Sequence, residues 1–249
     1  YFGTGSDCVS DPCPEFHVDD DGADFPNAEF SDIQSAVDAA SDGDTILVHP
    51  GTYRNTNATN NIPVVQIGNK SITLLSAGGP DETIISGRNE TSGDEQNIGI
   101  KCSGTPAGTR IDGFTISACS SDPSDQRRGG GMRLEDSSPT IANCVIRLNI
   151  GGYGAGAHLL DSAPIFENVV FSQNTAEEYN GSFGGGGAVY ITTQDAGLQP
   201  RFTHCLFESN SAERNGGAIL NVGTRTIFDH CIFTGNTALV TMAMLEDKA

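Results

Sequence analysis

The residues best able to do chemistry lie near the start of the chain, in "VDDDGADF". Asp19, Asp21 and Asp24 alternate around Gly22. Carboxylates at that spacing about a glycine turn are hard-oxygen ligands and suit Ca2+. A full twelve-residue EF-hand loop is absent, because its last position falls on Phe30 rather than Glu. The competing reading is a solvated acidic turn. The seven cysteines follow a different logic. Cys8 and Cys13, in "DCVSDPC", have no ligand partners nearby and read as a local disulfide, while Cys102 and Cys119 flank "SGTPAGTRIDGFTISA" and are candidates for a second. Disulfides of this kind go with export. His204 and His230 precede Cys205 and Cys231, but neighbouring strand residues face opposite ways, so no zinc site is expected there.

What positions these residues is a repeat. The phrases "ANCVIRLN", "FENVVFSQN", "THCLFESN" and "DHCIFTGN" align, with a more degenerate copy in "IDGFTISAC". The first column holds Phe114, Cys144, Val169, Cys205 and Cys231, and the second Thr115, Val145, Val170, Leu206 and Ile232. The third holds Ile116, Ile146, Phe171, Phe207 and Phe233, and the fourth Cys119, Asn149, Asn174, Asn210 and Asn236. Gly-rich phrases ("GGGMRL", "GAGAHLL", "GGGGAVYI", "GGAILNV") follow at a similar phase. Repeats of this length indicate a solenoid, because one unit cannot bury its apolar face alone. The runs are short and rich in Val, Ile, Phe and Thr, which is strand chemistry without a helical period. The expected fold is all-β, a single-stranded parallel β-helix with each residue stacked on its counterpart about 4.8 Å away. The first and third columns form the core stack, the cysteines acting there as small apolar groups. The Asn column is expected to turn a left-handed corner and to hydrogen-bond along the coil.

If the first and third columns point inward, the second points outward. Val145, Val170, Leu206 and Ile232 then make an apolar stripe, and such a patch marks a contact site. The alternative places a corner there and the stripe inside. Val240, Met242 and Met244, in "TALVTMAMLEDKA", are a second candidate interface, because no cap is visible there and an uncapped β-helix end offers edge strands. At the other end, Ser31 and Gln34 form a capping-box pattern, and Ile33, Ala36, Val37 and Ala40 lie on one helical face. A capping helix over about residues 32–41 is expected to close the first rung, followed by a strand at Thr45–Val48. Residues 1–30 read as a leader with the acidic turn, and residues 31–249 as the β-helix.

The net charge is −19 over 249 residues, with three lysines. Nucleic acid and anionic membrane are poor partners for such a surface. No apolar stretch reaches the ~18–20 residues of a membrane span. The chain begins at Tyr1 without Met, as a processed exported protein would, so an extracellular or cell-surface location is expected.

The segment "FSDIQSAVDAASDGDTILVHPGTYR", with "SITLLSAGGPDETIISG" and "TRIDGFTIS", resembles the right-handed parallel β-helix proteins of the pectin-lyase-like group, over almost the whole chain from about Phe16. The later F-x-x-N and G-G-A phrases are similar to repeats of bacterial surface β-helix proteins, the polymorphic outer-membrane proteins among them. The resemblance implies a right-handed coil but no single function, because this fold hosts lyases, glycosidases, tailspikes, adhesins and structural proteins. A lyase of the group needs a Lys or Arg base with Ca2+ or Arg on a uronate, and a glycosidase needs paired carboxylates. Arg127, Arg128 and Arg133 cluster near Asp112, Glu135 and Asp136 in the repeat, yet no Asp-Asp pair stands in a Gly-rich strand. Trp is absent, leaving Tyr53, Tyr153, Tyr179 and Tyr190 as sugar-stacking candidates. The expectation is a non-catalytic extracellular structural or adhesive protein that self-associates as a homo-oligomer or head-to-tail filament. Ca2+ is the candidate cofactor and a glycan the other candidate partner. The alternative is a small secreted carbohydrate-active enzyme, a polysaccharide lyase or glycosidase.

Overall fold

Apolar runs of two to four residues, separated by a few polar or glycine residues, are too short to pair with their immediate neighbours. Each pairs instead with its counterpart one repeat away. The computed structural model describes residues 15–55, 62–88, 97–121, 128–178, 184–195 and 197–239. They hold twenty-five strands and one helix, and every strand pairing is parallel. The chain is a parallel β-helix.

Four sheets run along the coil. The eight-stranded sheet takes Glu15–Val18, Thr45–Val48, Thr73–Ser76, Arg110–Asp112, Thr140–Ala142, Ile165–Glu167, Arg201–Thr203 and Ile227–Asp229. The seven-stranded sheet takes Gly51–Arg54, Thr83–Ser86, Thr115–Ser117, Val145–Arg147, Val170–Ser172, Leu206–Glu208 and Ile232–Thr234. A four-stranded sheet (Ile150–Gly151, Thr175–Ala176, Ser211–Ala212, Thr237–Ala238) begins only in the later rungs. The six-stranded sheet takes Val65–Ile67, Ile100–Ser103, Met132–Glu135, Ala157–Leu160, Val189–Thr192 and Ile219–Val222. The expected register holds: Val145, Val170, Leu206 and Ile232 pair in turn, as do Ile146, Phe171, Phe207 and Phe233.

The core is a set of stacks along the axis. Phe171 lies on Phe207 with ring centroids 5.0 Å apart, and Phe207 on Phe233 at 4.6 Å. Phe166 lies on Phe202 at 4.8 Å. Phe166, Phe171, Phe202 and Phe207 are fully buried, each contributing on the order of 1.5–3 kcal/mol of transfer free energy. Cys144 and Cys205 are buried in the first column. In the last described rung the stacks open to solvent: Phe228 is 44% exposed, Phe233 49% and Ile232 62%.

The Asn ladder forms, but not at the corner expected for it. The left-handed residues are those one position earlier: Ala118, Leu148, Gln173, Ser209 and Gly235, with φ from 51° to 63°. The ladder asparagines point inward instead. Asn174 Oδ1 accepts from the backbone N of Asn149 (3.2 Å) and from its Nδ2 (3.0 Å), while Asn174 Nδ2 donates to Asn210 Oδ1 and to the Ile146 carbonyl (both 2.9 Å). Asn149, Asn174 and Asn210 are fully buried. The Gly-Gly phrases serve close approach. A Cβ on Gly187 would meet the carbonyl oxygens of Gly217 and Ser211 in the next rung, and the preceding Gly186 has φ +67°.

Helix Ile33–Ala39 covers the first rung with Ile33, Ala36 and Val37 buried. Its N-cap is Asp32, which accepts from Ser35 N at 2.8 Å, so the capping box expected from Ser31 and Gln34 does not form. Gln34 is used elsewhere: its Oε1 accepts from the backbone N of Gln66 at 2.6 Å.

Candidate functional site

Alternation along "MRLE" buries Met132 and Leu134 and turns Arg133 and Glu135 outward. Stacking in register then lines up Gln66, Lys101, Arg133, His158, Tyr190 and Leu220 on the outer face of the six-stranded sheet. Glu135 sits in the neighbouring outward column, with Ser103, Leu160 and Thr192. It takes two hydrogen-bonded contacts from Arg133, at 2.5 and 2.7 Å, and an ion pair from Lys101 at 3.4 Å. Asp112 does not join this cluster. It belongs to the eight-stranded sheet and pairs with Arg110 at 2.8 Å. Arg127 lies outside the described residues.

His158 is the unusual member of the face. It is 2% exposed, its ring stacks on Tyr190 at 5.3 Å, and Tyr153 lies 5.0 Å from Tyr190. Its Nδ1 has no partner among the described residues. Burial, with the charges of Arg128 and Arg133 adding to it, pushes its pKa down to about 3. The imidazole is therefore neutral at physiological pH and supplies no acid there. Within these columns Glu135 is the one described carboxylate and it is held by two cations. The face offers an aromatic and cationic surface, and sequence reasoning missed His158 because nothing in its type or neighbours distinguishes it from a surface histidine.

The second column faces outward, as expected. Val145, Val170 and Leu206 are half-buried and Ile232 is exposed, while Thr115 at the other end is buried and donates to the Pro80 carbonyl at 2.6 Å. Val240, Met242 and Met244 lie outside the described residues.

In the acidic turn, Asp19 is 3% exposed. Its Oδ1 accepts from the backbone N of Asp21 (3.3 Å) and Gly22 (3.0 Å), and Oδ2 accepts from Phe25 N. Burial alone would raise its pKa, but these backbone donors outweigh it and the net shift is downward. Carboxylate oxygens of Asp19, Asp20 and Asp21 lie within 4.8 Å of one another. The carboxylates that the fold brings within this distance are 19, 20 and 21, and Asp24 is not among them. Next to the turn, His17 Nδ1 and His49 Nε2 are 3.0 Å apart, with the Phe25 ring stacked on both imidazoles.

Cys102 and Cys119 do not form the expected bridge; among the described residues both are buried thiols outside any disulfide. Cys102 points into the core from the six-stranded sheet, and Cys119 occupies the fourth column, where its Sγ donates to the Ser117 carbonyl at 3.1 Å and its backbone N donates to Asn149 Oδ1 at 3.0 Å. Their places in two different stacks hold them apart. Cys8 and Cys13 lie outside the described residues. His204 and His230 stack at 5.1 Å at left-handed corners, and no cluster with Cys205 and Cys231 forms among the described residues.

Fold and faces together define a β-helix repeat protein. The repeat described as Chlamydia polymorphic membrane protein repeat matches residues 204–222. No curated protein sequence matches the chain. Similar solved structures include a pectin methylesterase mutant in complex with a hexasaccharide, at 12% identity and TM-score 0.48, covering 78% of this chain; this chain spans 65% of that one. A second pectin methylesterase complex has 12% identity and TM-score 0.44, covering 88% of this chain and 80% of that one. The pectin methylesterase from Aspergillus niger has 13% identity and TM-score 0.46, covering 93% and 88%. At these scores none of the three adds to what the strand pairing shows.

Proposed function

We propose that the protein is a non-catalytic β-helix of the cell surface or extracellular space, acting through contact faces as a structural or adhesive element. The observation that carries this reading is Ile232. It ends the outward apolar stripe and also belongs to the last described rung, where Phe228 and Phe233 are exposed beside it. Two apolar surfaces therefore meet at one residue, and exposed apolar patches of this kind mark contacts between proteins. The matched repeat at residues 204–222 supports placement at the surface. Self-association through these surfaces, as a homo-oligomer or a head-to-tail filament, is the form of contact proposed.

Sedimentation velocity and negative-stain microscopy of the whole chain, with and without EDTA, test the reading. Homo-oligomers or filaments, dispersed to monomers by Ile232→Glu, are expected. Loss of the assemblies in EDTA would bring a bound cation at Asp19, Asp20 and Asp21 into them. Monomers at every concentration up to about 100 μM, a range that would detect contacts worth ~5 kcal/mol, would overturn the assembly. Unsaturated or hydrolysed products from a glycan panel would overturn the non-catalytic reading.

A further inference from the structure

Beside the capping helix lies a cavity of about 600 Å³, within the size range of small-molecule sites. Asp32 at the helix start, Asp20 from the acidic turn, and Arg54 and Asn55 from the end of strand Gly51–Arg54 form its polar wall. Ile62 and Pro63 form the apolar wall. A second cavity of about 410 Å³ shares Gln34, Ile62 and Pro63 with the first, so the two make one groove along the helix. The groove meets the six-stranded sheet's polar face only at Gln66; Lys101, Arg133, His158 and Tyr190 line neither cavity.

Its polar groups are held in place before any ligand arrives. Asp20 Oδ2 accepts from Thr52 N at 3.0 Å, and Asp32 accepts from the backbone N and hydroxyl of Ser35 at 2.8 and 2.7 Å. Asn55 Nδ2 donates to the Ile62 carbonyl at 3.3 Å. Gln34 holds the Gln66 backbone through both ends of its amide. Each carboxylate keeps further lone pairs for a ligand. Pre-set polar groups lower the ordering cost of binding. Ile62, whose carbonyl takes the Asn55 amide, keeps its own side chain 39% exposed in the groove.

We infer that this groove binds a short neutral saccharide. Sugar hydroxyls both donate and accept, which suits a wall of carboxylate, amide and guanidinium groups. The C–H face of a pyranose suits the Ile62–Pro63 wall. Charge selects against acidic sugars: Asp20 and Asp32 outnumber Arg54 on the polar wall, in a chain of net charge −19. A uronate would meet like charge there. The inference deepens the adhesive reading and rests on it.

Amide shifts of the 15N-labelled whole chain, titrated with maltotriose, cellotriose, mannotriose and trigalacturonate, test the site. A neutral trisaccharide is expected to shift residues 31–35, 52–55 and 62–64 with a Kd of about 1 mM or tighter, and trigalacturonate is not. Arg54→Ala and Ile62→Ser, both on exposed side chains, are expected to weaken binding about tenfold (~1.4 kcal/mol) without moving the melting temperature. No shifts from any neutral probe, or shifts only on the six-stranded face, would overturn the groove. If the groove fails while copies still associate, the assembly reading stands. If the sugar binds and is consumed, the groove stands and the non-catalytic reading falls.

Discussion

Replacing Asn174 by Ala should be among the most damaging single changes in the coil. Asn174 is fully buried and its amide makes four hydrogen bonds across two rung interfaces. Removing it leaves the Asn149 backbone N–H without its acceptor, one Asn149 amide hydrogen unpaired, and the Ile146 carbonyl without this donor. Asn210 Oδ1 keeps the Asn174 backbone N–H at 3.1 Å. Three buried groups at about 1–3 kcal/mol each would total more than relaxation allows, so about 3–5 kcal/mol is the expected loss. For a chain of this size that lowers the melting temperature by roughly 6–20 °C. Asn236→Ala is the comparison: it strips the Asn210 backbone N–H, one Asn210 amide hydrogen and the Phe207 carbonyl in the same way, but in the half-buried last described rung where water can replace them, and should cost about 1–2 kcal/mol. Urea titrations of both variants and of the Asn149→Ala, Asn174→Ala double variant provide the measurement. A loss below about 1 kcal/mol for Asn174→Ala, or strict additivity in the double variant, would refute the ladder as a coupled network.

Thiol labelling of the native chain should reach half-exposed Cys231 first among the described cysteines; Cys102 and Cys144, whose burial pushes both thiols up to about 12, should react only on unfolding. Protection of Cys102 and Cys119 after unfolding without reductant would instead reveal a bridge. The depressed His158 pKa means the unfolded chain takes up this proton between about pH 6.5 and pH 3, so its contribution to stability is complete above the unfolded value and falls as the pH drops through that window. Urea stability measured at pH 7 and pH 4 should differ by up to about 3 kcal/mol less in His158→Phe than in the parent, and an unchanged difference would remove His158 as the cause. Gly187→Ala should cost about 3 kcal/mol or more, since its methyl meets two backbone carbonyls rather than a movable side chain; a soluble variant with an unchanged melting temperature would contradict the packing described.

The coil was legible because its strongest constraints repeat. Phe171, Phe207 and Phe233 answer one another in the sequence because each must fill the same slot one rung on. The four-column alignment set the pairing to the residue. The corner itself was misplaced. Leu148, Gln173 and Ser209 share a left-handed backbone but not a residue type, because their side chains are exposed and composition there is free. Asn149 stands out in the sequence for its hydrogen bonds, while the left-handed corner belongs to Leu148 before it. The bridge assigned to Cys102 and Cys119 failed for a related reason: sequence separation does not reveal that the two belong to different stacks. The polar face at His158 and the groove at Ile62 assemble residues from separate rungs or connections, and no local pattern announces them.

The interfaces between rungs also have a mechanical side. Every backbone pairing runs parallel to the coil axis, so a pull on the last rung along that axis loads the rung interfaces one after another rather than together. The spacings along the Asn ladder are 25, 36 and 26 residues. At 3.3–3.6 Å per extended residue, each released rung would lengthen the chain by about 80–130 Å. Under tension the described coil would behave as a series of catches, paying out one rung's length at a time from the end that is pulled. A pull across the axis would instead meet the stacked sheets in shear.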